Sequence, residues 1–294
     1  MNNKERILGI ALGLTAAYAH ADLKPISDQA MGNITGQAMF AYDVRENAEG
    51  DFTRITMGMD AEVQTNVQTV ALGELADSAE PTGADLLVDH LSLGHISTDD
   101  TKVQLDGQTY AINDIVPFIG KDPYFEIAED ADGGDIVGFR VGFGEARGTL
   151  SGDISSFSGN IGMKFDDGSG TLQDAQLMNA DGTADNYRAT HIGVVGAGTD
   201  CSTNTNCTAL NNIKTWDVGV DNGDGTVGFT DGFFLSFQKQ AVTWETNATT
   251  GSSVTANPGV FMNMPTSMTL DASQLQNGIP RARTEYIDRG QGLF

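Results

Sequence analysis

Between Ile55 and Ala71 the chain keeps a period of two, and that period limits the fold more than any other feature. The odd positions are Ile55, Met57, Met59, Ala61, Val63, Thr65, Val67, Thr69 and Ala71, while the even positions from Thr56 to Gln68 are polar, charged or glycine. A helix would scatter such side chains around its axis, whereas an extended strand sets them all on one face. The run therefore reads as antiparallel strand with one apolar face and one wet face, as a half-buried sheet requires. As a single strand it would extend about 56 Å at ~3.3 Å per residue, far beyond the usual five or six residues. Either it bends from one sheet to another, or the molecule is long.

The same alternation returns along the chain. Val137, Phe139, Val141 and Phe143 alternate with Gly138, Arg140, Gly142 and Gly144, and Ile161, Met163 and Phe165 alternate with Gly162 and Lys164. Val227 and Phe229 lead to Phe233, Leu235 and Phe237, and Val260, Met262 and Met264 follow further on. Turn signals separate these runs: DGQ at 106–108, DGG at 132–134, NADG at 179–182 and NGDG at 222–225. Helix signals are few, with a short helix expected over 84–96 and a single turn over 114–119. The expected fold is all-β, an antiparallel β-sandwich of jelly-roll or Greek-key type with long strands. A β-roll or solenoid is the alternative, but the turns fall at uneven intervals without a fixed repeat.

The first residues address the compartment. Lys4 and Arg6 precede an uncharged, largely apolar run from Ile7 to Ala19, and Ala19 and Ala21 form the small-residue pair that a signal peptidase needs. Residues 1–21 read as a signal peptide, leaving 22–37 as an N-terminal amphipathic segment and 38–294 as one all-β domain. No other segment is apolar for long enough to form a transmembrane helix. An outer-membrane β-barrel is a weaker alternative, carried by the terminal Phe294 and by Tyr286 before it.

The formal net charge of −24 argues against nucleic acid, because so acidic a surface repels phosphate. The two cysteines, Cys201 and Cys207, flank a Ser/Thr/Asn loop and read as a disulfide in an oxidising compartment. DVGVDNGDGTVGFTD at 217–231 places Asn222, Asp224 and Asp231 at positions 3, 5 and 12 of a calcium loop, but Val220 stands where its first acidic ligand belongs. Calcium is the one cofactor this leaves in view, and a plain hairpin turn, which needs only Asn and Gly at positive φ, is the preferred reading of NGDG. No G-x-S-x-G is present and no catalytic residues are assigned, so no enzyme is expected. A secreted hydrolase that uses paired carboxylates stays open as a lesser alternative, since acidic residues are abundant. Arg281, Arg283 and Arg289 make the tail PRARTEYIDRG basic in an acidic chain. It is either a solvated terminus or a segment that docks on an acidic neighbouring subunit.

The segment DLKPISDQAMGNITGQAMFAYDV adds a resemblance. Leu23, Ile26, Ser27, Asp28, Met31, Ile34, Thr35, Gly36 and Gln37 match the phrase that opens the mature chain of FilA-like pilus-system and related exported proteins of Gram-negative γ-proteobacteria. The resemblance covers about fifteen residues. It implies a surface or fibre-associated protein, placed between periplasm and outer surface, that self-associates or joins other pilus subunits. On physical grounds 27–34 reads as a capped amphipathic turn stopped by Gly36. Phe40, Tyr42 and Val44 then share one face of a strand that either closes the protein's own sheet or adds to a neighbour's edge. The expected function is structural or adhesive, with a non-polymerising calcium- or carbohydrate-binding adhesin domain as the alternative.

Overall fold

The computed structural model describes residues 39–47, 50–74, 83–131, 134–166, 170–194, 200–201, 206–247 and 249–285. The expected leader at 1–21 and the phrase at 23–37 lie outside them. Strand takes 59% of the described residues against 4% helix, and the fold is an all-β, sandwich-like arrangement of antiparallel sheets.

Its spine is one strand of 22 residues, Ile136–Phe157. The first half pairs with Phe118–Glu129 on one side, setting Phe139 opposite Ile127, and with Phe234–Gln238 on the other, setting Phe139 opposite Phe237. From Gly148 onward the partners change to Leu86–Leu93 and Thr215–Val218. Gly148 makes that change possible: its φ is +141°, and a Cβ there would lie 2.8 Å from the Cα of Phe118. The run 55–71 follows the same change of neighbours. It breaks into Gly50–Met57, Asp60–Val63 and Val67–Leu72, the first two pairing with successive halves of Phe118–Glu129 and the third with Leu86–Leu93. The strand bends between sheets, so the long molecule is not needed.

The largest sheet is open. It runs from Phe40–Asn47 through Gly50–Met57, Phe118–Glu129, Ile136–Phe157, Phe234–Gln238 and Gly259–Met264 to Gly159–Ile161, and it does not close into a barrel. The larger core packs around the second half of the spine, where Leu150, Ile154 and Phe157 meet Leu86, Val88, Trp216 and Met264. Two small sheets complete it with Phe165 and Leu270 from one and Leu177 and Ile192 from the other. A second core joins Phe52, Val137, Phe234 and Phe261 to Val242, Trp244 and Ala256 of the hairpin Val242–Asn247/Ser252–Ala256.

Two local expectations are corrected, and one helix forms where none was expected. Residues 84–96 are not a helix; they form the strands Leu86–Leu93 and His95–Ile96, in which Leu86 and Val88 alternate into the core. Residues 114–119 likewise give a short strand Ile115–Val116 and the start of Phe118–Glu129 rather than a turn of helix. A helix does form at Ala272–Asn277, where Asp271 and Gln274 make a reciprocal capping box and Leu275 is buried. The signal DASQ was present in the sequence, but the segment is too short to show a helical period.

Candidate assembly surface

The first half of the spine reverses the expected burial. Val141 and Phe139, on the apolar side of the alternation, are 39% and 38% exposed, while Arg140 between them is fully buried. The cause lies in the glycines. Gly138 and Gly142 look like a wet face in the sequence, yet they are sockets: a Cβ on Gly138 would stand 3.0 Å from Trp244, and one on Gly142 would stand 2.8 Å from the Tyr124 hydroxyl. The Trp244 hairpin packs onto that side and leaves the apolar side open.

Beneath the hairpin, charge is concentrated around one carboxylate. Arg140 Nε donates to Glu126 Oε2 at 2.5 Å and Arg54 Nη2 donates to the same oxygen at 3.0 Å. Arg45 sits 3.5 Å from Glu126 Oε1 and pairs with Glu245 of the covering hairpin at 2.7 Å. The guanidinium of Arg140 also lies 4.8 Å from the ring centres of both Phe234 and Trp244. Burial pushes the Arg140 pKa down and the Tyr124 pKa up, because desolvation opposes the charged form of each. This network clamps the hairpin to the sheet, and so decides which face stays open.

The open face is continuous across four strands. Phe40, Tyr42 and Val44 lie opposite Met57, Ile55 and Thr53, and these continue through Phe125 and Ile127 to Val141 and Phe139. On the next two strands Leu235, Phe237 and Met262 pack against the larger core and Val260 is buried in it, so the open face stops there. Tyr42 is the most exposed at 69%, and Phe125 is still 37% exposed. Phe139 and Phe237 stack at 5.9 Å. One end of the face is acidic, with Glu46, Asp51 and Glu129 in a row across three strands.

The expected assembly strand lies at the edge of this face. Among the described residues Phe40–Asn47 pairs on one side only, with Gly50–Met57. The Gly58 N–H donates to the Met39 carbonyl across the Phe40–Met57 pair. That pair is therefore of the non-hydrogen-bonded kind, and the N–H and C=O groups of Phe40, Tyr42 and Val44 point outward along a free edge. The same three residues thus carry exposed apolar side chains and backbone groups that no other described strand pairs.

The calcium candidates do not converge. Val220–Asp221 and Val227–Gly228 form a hairpin, and NGDG is its turn. The Asp224 carboxylate accepts from the Thr226 N–H at 2.9 Å, and Asn222 donates to the Thr226 hydroxyl at 3.0 Å. Hydrogen bonds from the Thr226 hydroxyl and from its N–H hold the Asp224 pKa below the usual carboxylate range. Asp231 instead accepts from Asn247 of the covering hairpin. Among the described residues no group of three His, Cys, Asp or Glu side chains is placed to hold a metal ion.

Cys201 and Cys207 are bonded, with their Cα atoms 5.5 Å apart, and Cys207 opens the strand Cys207–Ala209. The basic tail is neither solvated nor free to dock elsewhere over its described part. Arg283 donates to Asn113 at 2.9 Å, Arg281 donates to the His90 carbonyl, and Asn66 and Gln64 donate to the Thr284 carbonyl. Residues 280–285 are a strap on the chain's own body; Arg289 lies outside the described residues.

Two open cavities complete the surface. One of about 450 Å³ is lined by Asn160, Gln176, Asp185 and Asn186, and one of about 400 Å³ has Asp217 and Asp221 in its wall. Burial pushes the Asp217 carboxyl up, with Lys102 opposing. Among the described residues no helix is long and apolar enough to cross a membrane. The chain matches no protein-family model, no curated protein and no solved structure. The functional reading therefore rests on the residues themselves.

Proposed function

We propose that this protein is an exported, non-enzymatic structural component of a Gram-negative cell surface, a fibre- or pilus-associated subunit. The observation that carries it is the free edge at Phe40–Asn47, where outward backbone groups and the apolar side chains of Phe40, Tyr42 and Val44 coincide. Natural proteins normally blunt such an edge, and a strand left open is what β-augmentation by a neighbouring subunit uses. The signal-peptide pattern at 1–21, the Cys201–Cys207 disulfide and the phrase at 23–37 agree with export and with a surface role.

Negative-stain microscopy of the purified mature protein and of native cells tests this reading. Filaments are expected from the wild type. They are expected to be lost in Val44→Pro, which removes an outward N–H while leaving the strand's own ladder intact. Only monodisperse particles from wild type, with none at the cell surface, would sink the fibre reading.

A further inference from the structure

We propose that the open apolar face of the sheet, centred on Phe125, Phe139 and Val141, is buried against the same face of a second copy of this chain. This interface is distinct from the free edge, because it joins side chains across stacked sheets and not backbone along one sheet.

Area and charge both favour a second copy. With aromatic side chains of ~150–250 Å² each, the exposed fractions of Phe40, Tyr42, Val44, Phe125, Phe139 and Val141 come to about 500 Å². That is at the upper end of what monomers leave exposed, where patches mark interaction sites. Two such faces brought together remove about 1,000 Å², the size at which a specific interface begins, before half-buried Ile55 and Ile127 are added. The face has no basic residue to meet an anionic membrane, and its one charged row, Glu46–Asp51–Glu129, would be repelled by such a surface. It also offers no charge pattern for a partner of opposite sign. Two-fold symmetry makes an apolar face complementary to itself without further design. A two-fold axis perpendicular to the strands also sends the two acidic rows to opposite ends of the interface. Sheets stacked in this way pack about 10 Å apart with their twists matched.

The experiment is sedimentation equilibrium of the mature chain across the micromolar range. A reversible monomer–dimer equilibrium is expected. Val141→Glu is expected to weaken it at least ~10-fold, as a charge at the centre of a desolvated face does. Asn211→Glu, which adds the same charge at an exposed position off the face, is expected to leave it unchanged. Far-ultraviolet circular dichroism and thermal melting check that the variants fold, and Phe125→Ser replaces Val141→Glu if the latter does not. Val141→Glu, which lies off the edge strand, weakens the dimer while leaving the filaments in place, so loss of one behaviour without the other separates this interface from the fibre reading. A wild type that stays monomeric throughout, or a dimer indifferent to both face variants, overturns the proposal. So does a monomer that pellets with phosphatidylcholine vesicles, or one in which Tyr42 and Phe139 resist hydroxyl-radical labelling; these assign the face to lipid and to the chain itself respectively.

Discussion

Arg140 lies between two valines' worth of alternation, in VGFRVGF, where its natural place is the wet face of a strand. The fold buries it completely, against Glu126 and the rings of Phe234 and Trp244. Breaking a buried ion pair from one side costs far more than the pair contributes, because the remaining charge is stranded. Glu126 is the shared partner of Arg45, Arg54 and Arg140. Glu126→Ala is therefore expected to cost about 3–5 kcal/mol in urea unfolding. Arg140→Leu should cost less, because Glu126 keeps Arg45 and Arg54 and the new side chain suits its aromatic surroundings. The opposite order would mean that Arg140, and not the carboxylate, organises the cluster. Nothing local signals this: an Arg in an alternating strand looks the same whether its face meets water or Trp244.

At the scale of elements, the turns and the disulfide were the most legible parts. DGQ, NADG and NGDG all form turns, with Gly107, Gly182, Gly223 and Gly225 at positive φ. The Cys201–Cys207 ring is a local device that needed only the two cysteines and an oxidising compartment. Closing so small a ring restricts the unfolded chain modestly, so reduction or the double Cys→Ser variant is expected to lower stability by about 2 kcal/mol. Calorimetry with and without reductant checks it; an unchanged melting temperature would make the bond incidental. The segment at 84–96 went the other way. Leu86, Leu87, Val88, Leu91 and Leu93 fit a helix by spacing, and only pairing with Ile136–Phe157 draws them into a strand. The basic strap was illegible for the same reason, since its partners Asn66, His90 and Asn113 are remote in sequence.

For the whole molecule, a net charge of −24 opposes every contact between copies. Screening shortens from about 30 Å at 10 mM salt to about 8 Å at 150 mM. Association through the apolar face is therefore expected to tighten as salt rises over that interval, and light scattering against ionic strength reads it directly. Weakening with salt would point to charge pairing between copies and away from apolar stacking.

The sequence alone determined that this chain is β-structure, where its turns fall and that its cysteines pair, because a period of two, Gly/Asn/Asp turn chemistry and a close cysteine pair act over a few residues. It also marked Phe40, Tyr42 and Val44 as one face of a strand. Only the tertiary structure decided that this strand stands at an edge, that the run from Ile55 bends between sheets, and that Phe139 and Val141 face outward. Which face of a sheet is covered depends on what packs there from elsewhere. Here that is Trp244, about a hundred residues downstream, seated on glycines that the local pattern presents as a solvent face.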